Sequence, residues 1–179
     1  MKVRADHERV RERLEALGAT HLGTVRQVDT YFDAPDRDFA ETDEALRIRR
    51  EDPGAGSATV RVTYKGPLVD AVSKTREEAE AVVADAEATT AVLEGLGFEP
   101  AATVRKERDR FEVGEVLVTL DEVEGLGEFV EVETEAAEDV DAERDRVFGV
   151  LEDLDLDPGE GIRTSYLGLL LGADRDDRQ

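Results

Sequence analysis

Cysteine is absent from this 179-residue chain, which excludes disulfides, thiolate metal sites and thiol catalysis. Histidine occurs only as His7 and His21, too few for a multi-histidine metal centre and a poor basis for a histidine-dependent hydrolase. No apolar run approaches the ~20 residues that a membrane-crossing helix needs. The longest, around Leu169 to Leu171, is far shorter, and the N-terminus has no signal-like apolar stretch. These absences predict a cytoplasmic protein with no membrane partner. The length suits one domain over residues 1–172, with 173–179 as a short charged C-terminal tail.

Positive charge is also scarce. Lys and Arg total 23 against 45 Asp and Glu, a net charge of −22, and only four of the 23 are lysines. Nucleic-acid binding needs a basic face, so no nucleic-acid partner is expected. The acidic residues are spread along the chain as in halophilic proteins, whose carboxylate surfaces keep them soluble in molar salt. Against that background, the places where arginine gathers carry information.

The chain also repeats itself. Leu14-Glu-Ala-Leu-Gly18, Thr24-Val-Arg26 and Phe32 recur as Leu93-Glu-Gly-Leu-Gly97, Thr103-Val-Arg105 and Phe111, at a constant offset of 79. Each copy reads as helix, glycine stop, then strand. Two copies are too few for a solenoid, so a pseudo-two-fold closed sheet is expected. Asp6 should cap a helix with Val10, Leu14 and Leu17 on one face, ending at Gly18. Residues 86 to 96 should form its twin. Further helices are expected from Asp141 to Leu154, with Val147, Val150, Leu151 and Leu154 inward, and from Thr164 to Leu171.

Elsewhere the hydrophobic period is two. Leu46 and Ile48 alternate with Arg47 and Arg49; Val60, Val62 and Tyr64 alternate with Arg61, Thr63 and Lys65. Arg76, Glu78 and Glu80 share a side, as do Lys106, Arg108 and Arg110. Val116, Val118 and Leu120 back Thr119 and Asp121, and Val130 and Val132 back Glu131 and Glu133. Eight of the 23 basic residues therefore lie on polar strand faces. An acid-adapted surface has little use for arginine where water reaches most easily, so these faces are read as looking into an enclosed polar lumen.

Like charges crowded into a lumen repel and lose hydration, so they need a counter-charge. A polyphosphate supplies one, since arginine forks match its oxygens and lysine adds point charge. Glu78, Glu80, Asp121, Glu131 and Glu133 would repel it unless Mg²⁺ or Mn²⁺ mediates. If the ligand is the counter-charge, Arg47→Ala or Arg49→Ala should stabilise the ligand-free fold or leave it unchanged.

The same residues make the chain resemble the CYTH superfamily, which includes class IV adenylyl cyclases, thiamine triphosphatases and inorganic triphosphatases. The matching segments, in order, are Gln27-Val-Asp-Thr-Tyr-Phe-Asp33, Ala45-Leu-Arg-Ile-Arg-Arg50, Thr63-Tyr-Lys-Gly-Pro67, Ser73-Lys-Thr-Arg-Glu-Glu-Ala-Glu80, Val104-Arg-Lys-Glu-Arg-Asp-Arg110, the stretch Leu120 to Glu133, and Ser165-Tyr166. The first and fourth most resemble the class IV cyclase-like branch. The resemblance implies an α+β fold, a closed antiparallel β-barrel of the triphosphate-tunnel type with a polar lumen and helices packed outside. It implies phosphate binding by Lys2, Arg47, Arg49, Lys65, Arg76, Lys106 and Arg108. Metal binding falls to Asp121, Glu131 and Glu133, with Glu78 and Glu80 as further candidates. Asp29, Tyr31 and Tyr166 match in pattern. No side chain is assigned as general base.

Family members open on a Glu-x-Glu-x-Lys strand whose glutamates serve the metals. Here only Lys2 matches, and a strand carrying the glutamate pair is expected upstream of Met1. The implied function is cyclisation of ATP to cyclic AMP and pyrophosphate. The alternatives are hydrolysis of tripolyphosphate or an organic triphosphate such as thiamine triphosphate, and non-catalytic polyphosphate or nucleotide binding. A homodimer is left open.

Overall fold

The computed structural model of the chain describes residues 1–70, 75–134 and 140–176. Its strands are β1 (Lys2–Arg4), β2 (Thr20–Asp33), β3 (Ala45–Asp52), β4 (Thr59–Asp70), β5 (Thr75–Val83), β6 (Glu99–Val113), β7 (Val116–Val123) and β8 (Gly127–Thr134). The helices are α1 (His7–Ala16), α2 (Phe39–Thr42), α3 (Ala86–Gly95), α4 (Val140–Asp153) and α5 (Tyr166–Asp176), with one 3₁₀ turn at Pro158–Glu160. All eight strands belong to one antiparallel sheet, in the order β1-β8-β7-β6-β2-β3-β4-β5. Residues 73–74 of the Ser73 to Glu80 motif and 177–179 of the expected tail lie outside the described residues.

The expectation of a closed barrel is corrected here. β1 and β5 end the sheet, and among the described residues no ladder joins them. β1 is three residues long. Its Lys2 carbonyl accepts a hydrogen bond from the Ile162 N–H at 2.7 Å, on the edge where another strand would pair.

Two compact units emerge, Met1–Val25 with Lys106–Gln179, and Arg26–Arg105. The order β1-α1-β2 recurs as β5-α3-β6, but the units do not coincide with two copies at the 79-residue offset. The expected pseudo-two-fold repeat is therefore not seen as such.

In the first unit, Val3, Val116, Val118, Leu120, Val130 and Val132 form one apolar sheet face. Val10 and Leu14 of α1 and Val150, Leu151 and Leu154 at the end of α4 cover it. Asp6 caps α1 by accepting from the Arg9 N–H at 3.1 Å, and Gly18 turns the chain at φ 70°. Leu17 departs from the expected apolar face. It is the C-cap, past the last full turn, and is 40% exposed. In the second unit Phe32, Phe39, Leu46 and Ile48 form the core, with Val60, Val62, Tyr64 and Leu93 packed against it. α3 has no fully buried residue, so its contribution to packing is the smaller one.

One polar group is set into the apolar side of the first unit. Asp109 on β6, 6% exposed, accepts from Thr24 Oγ1 at 2.9 Å and pairs with His21 Nε2 at 2.5 Å and with Arg11 of α1. Burial pushes the Asp109 carboxyl up, but the hydrogen bonds from Arg11, His21 and Thr24 hold it below the usual carboxylate range. A depressed carboxyl contributes stability that is complete above its unfolded value and is lost as pH falls through its native value. Urea unfolding should therefore show a gap between wild type and Asp109→Asn that stays constant at neutral pH and shrinks below about pH 4. A gap that does not narrow in acid would contradict this assignment.

Candidate functional site

The strand registers settle which side chains share a face. In the first unit Lys2 lies opposite Glu131, Thr119 opposite Glu131, Arg110 opposite Thr119, and Arg108 opposite Asp121. With Lys106 and Glu133, these residues form one polar face, backed by the apolar core of β7 and β8. Asp121 is fully buried and is held from three sides. Arg108 donates from Nε to Oδ1 at 2.7 Å and from Nη2 to Oδ2 at 2.6 Å. Tyr166 OH donates to Oδ2 at 2.9 Å, and Lys106 Nζ lies 3.4 Å from the same oxygen. Burial alone would push the Asp121 carboxyl up; Arg108, Lys106 and Tyr166 instead bring it below the usual range. Burial beside Asp121 and Glu131 drives the Tyr166 hydroxyl well above the ordinary phenol range, so it acts as a donor.

The remaining members of this face surround that pair. Arg108 Nη2 also donates to Glu131 Oε2 at 2.6 Å. The Lys2 ammonium donates to the Thr164 carbonyl at 2.5 Å and sits 4.1 Å from the Tyr166 ring centroid. Lys106 Nζ lies 4.9 Å from the same centroid, so one aromatic ring serves two ammonium groups. Thr119 Oγ1 is buried with no hydrogen-bond partner.

The second unit builds a similar arrangement from other strands. Asp29 lies opposite Arg49, Tyr31 opposite Arg47, Arg47 opposite Thr63, and Thr63 opposite Glu80. Asp29 is 2% exposed. Arg49 donates from Nε to Oδ1 at 2.6 Å and from Nη2 to Oδ2 at 2.7 Å, and Arg47 Nη1 approaches Oδ2 at 3.4 Å. Arg47 Nε is buried without a hydrogen-bond partner. The Tyr31 hydroxyl is pushed up by burial and by the Asp29 charge.

The other expected site residues have simpler surroundings. Lys65 Nζ donates to Glu78 at 2.8 Å, and Glu80 accepts from Thr63 Oγ1 at 3.0 Å, with Arg61 Nε 3.4 Å from its other oxygen. These are partly exposed pairs of small energetic worth. Arg76 is turned toward α2's end, donating to the Asp43 carbonyl and carboxylate at 2.8 and 2.9 Å. Beside it Glu44 is held by Arg37, Thr42 and Tyr64, and the Arg37 hydrogen bonds first, then those of Tyr64 and Thr42, lower its carboxyl to about 2.

Among the described residues, no three His, Asp or Glu side chains gather as a ready metal cage. The donor set still suits a hard cation in one respect. Mg²⁺ commonly takes one or two protein carboxylates and completes its shell with phosphate and water. Glu131, with one oxygen on Arg108, and the exposed Glu133 two residues along β8 offer that number. Both oxygens of Asp121 are committed to cations and to Tyr166.

Sequence reasoning matched Asp29 in pattern but gave it no role, and it missed that Asp29 and Asp121 are the partners of the arginines. The available signal was the period-two run Gln27, Asp29, Tyr31, which places a carboxylate on the arginine-bearing side of the sheet. The expectation that arginines wait for a ligand as their counter-charge is overturned, because the counter-charge is already in the chain. Arg49→Ala should consequently destabilise the ligand-free protein by roughly 3 kcal/mol, since removing one partner strands a buried carboxylate. Denaturant unfolding without ligand checks this. An unchanged or raised midpoint would show that the Asp29–Arg49 pair does not matter to the fold.

A family profile for the CYTH domain matches residues 1–166. A Methanocaldococcus jannaschii protein, provisionally named an adenylate cyclase, is 39% identical over 166 residues, 92% of each chain. The PH1819 protein of Pyrococcus horikoshii superposes with a TM-score of 0.82 at 37% identity, covering 96% of this chain and 97% of that one. A Hippeastrum protein, provisionally named an adenylyl cyclase but with a dominant triphosphatase activity, shares the fold at a TM-score of 0.68 and 20% identity, over 96% of this chain and 93% of its own. Family profile, relative and fold agree with the motifs read from the sequence: the chain belongs to the CYTH domain family.

Proposed function

We propose that the chain is a divalent-metal-dependent enzyme acting on a triphosphate, with cyclisation of ATP to cyclic AMP and pyrophosphate as its leading reaction. One observation carries the reading. In a chain of net charge −22, each unit gathers arginine and lysine on one polar sheet face, Lys2, Lys106 and Arg108 in the first and Arg47, Arg49 and Lys65 in the second. Phosphate oxygens accept from guanidinium and ammonium groups gathered in this way.

On the first face Lys2, Lys106 and Arg108 would bind phosphate oxygens; on the second Arg47, Arg49 and Lys65 would. Arg76 serves phosphate only by leaving Asp43. Bound Mg²⁺ or Mn²⁺ would supply Lewis acidity toward the nucleophile and the leaving group, and Glu131 and Glu133 are the residues placed to hold it. The guanidiniums and ammoniums would neutralise charge as the ribose 3′ hydroxyl gives up its proton to solvent, its oxygen bonds to the α-phosphorus, and the bond to the departing pyrophosphate breaks. The cyclase version is supported by the name of the Methanocaldococcus relative. A triphosphatase version, in which water attacks the terminal phosphorus, draws on the Hippeastrum protein's activity.

Product analysis with ATP and with tripolyphosphate, each with Mg²⁺ or Mn²⁺, tests the reading. Cyclic AMP supports the cyclase and orthophosphate the triphosphatase; unchanged substrate with measurable binding leaves a non-catalytic module. Glu131→Gln should lower metal affinity by roughly 10- to 100-fold while metal-free tripolyphosphate binding persists. Glu143→Gln, on α4, should change neither. Unaltered metal dependence in the Glu131 variant would remove that residue from the metal site.

A further inference from the structure

Asp29 and Asp121 head constructions that agree in detail. Each carboxylate lies directly across a ladder from an arginine, Arg49 or Arg108. Each accepts that guanidinium side-on, Nε to Oδ1 and Nη2 to Oδ2, at 2.6 to 2.7 Å. Each has a second cation two residues before the arginine on the same strand, Arg47 or Lys106, 3.4 Å from Oδ2. Each is almost wholly buried.

The agreement is not inherited from the sequence repeat. At the offset of 79, Asp29 corresponds to Arg108 and not to Asp121. The carboxylate stands on the earlier strand in one unit and on the later strand in the other. The same geometry has thus been reached with the two roles exchanged between strands, which points to a demand on the arginine.

We propose that Asp29 and Asp121 are positioning residues for phosphate binding, and that Asp121 is not a metal ligand. The proposal rests on the triphosphate reading above. A guanidinium gripped by its Nε–Nη2 edge cannot rotate about its long side chain, so the direction of its remaining N–H groups is set before a ligand arrives. The carboxylate does not touch the ligand and acts through the arginine. A metal ligand would need an exposed oxygen, whereas Asp121 is fully buried with both oxygens engaged.

The test keeps charge constant, because removing a carboxylate would also strengthen attraction for any anion. Asp29→Glu, Arg49→Lys and the double variant, with the parallel set Asp121→Glu and Arg108→Lys, are titrated calorimetrically with tripolyphosphate in the presence of EDTA. Lengthening either carboxylate by one methylene should weaken binding about tenfold, the scale of one charged hydrogen bond. In the lysine background, which has no fork to aim, the same change should cost less than about twofold, since coupled residues are non-additive. A loss that recurs in full in the lysine background would show a general structural disturbance and overturn the proposal. So would Asp121→Glu binding tripolyphosphate like wild type without metal while losing its metal response. Failure of both aspartate variants to fold, judged by circular dichroism, would make the carboxylates structural and also overturn it. Absence of tripolyphosphate binding by the wild type would contradict the triphosphate reading itself.

Discussion

The side-on pairing of a buried aspartate with an arginine, made once in each unit, is the constraint on which the polar faces depend. A strand face carrying several cations is unstable alone, because each charge loses hydration and repels its neighbours. A carboxylate set among them on the adjacent strand offsets both costs. Asp121 lies among Arg108, Lys106 and Tyr166, and Asp29 between Arg49 and Arg47. Such a pair adds little net stability compared with apolar residues of the same size, but losing one member is costly. Its value is the fixed geometry it gives to long side chains.

The apolar sides of the same strands supply the stability. Val118, Leu120, Val130 and Val132 are almost completely buried under α1 and α4, at roughly 25 cal/mol per Å² of apolar surface removed from water. Period-two alternation ties the two functions together, since a one-residue slip would exchange the cations for the valines. The packing that buries Val130 and Val132 therefore also fixes where Glu131 and Glu133 project. Asp109 is the exception on the apolar side, and its bonds to Arg11, His21 and Thr24 satisfy it there.

Much of this was legible in the sequence. Alternation around Arg47, Arg49, Lys106 and Arg108 set the strands and their faces correctly, because a half-buried sheet writes its register into the chain. Helix limits near Asp6 and Gly18 followed from capping chemistry; the Asp85 cap of α3 did not enter the sequence reading. Sheet closure was not legible: whether a three-residue β1 pairs onward or yields its edge to Ile162 depends on a backbone bond that side-chain patterns do not encode. Nor was the partner of each arginine. Asp29 and Arg49 are 20 positions apart, and only the ladder between β2 and β3 brings them opposite. Glu78 and Asp121 look alike as carboxylates on polar faces, yet one is partly exposed beside Lys65 and the other is sealed against Arg108.

The central claim is that the arginine forks are held by resident carboxylates before any ligand binds. Hydrogen exchange at arginine Nε, followed by ¹⁵N NMR on the ligand-free protein, tests it directly. The Nε–H groups of Arg49 and Arg108, each donating to a buried carboxylate, should exchange far more slowly than those of exposed arginines such as Arg9. Exchange of Arg49 and Arg108 as fast as that of Arg9 would mean that the forks are free and would contradict the account.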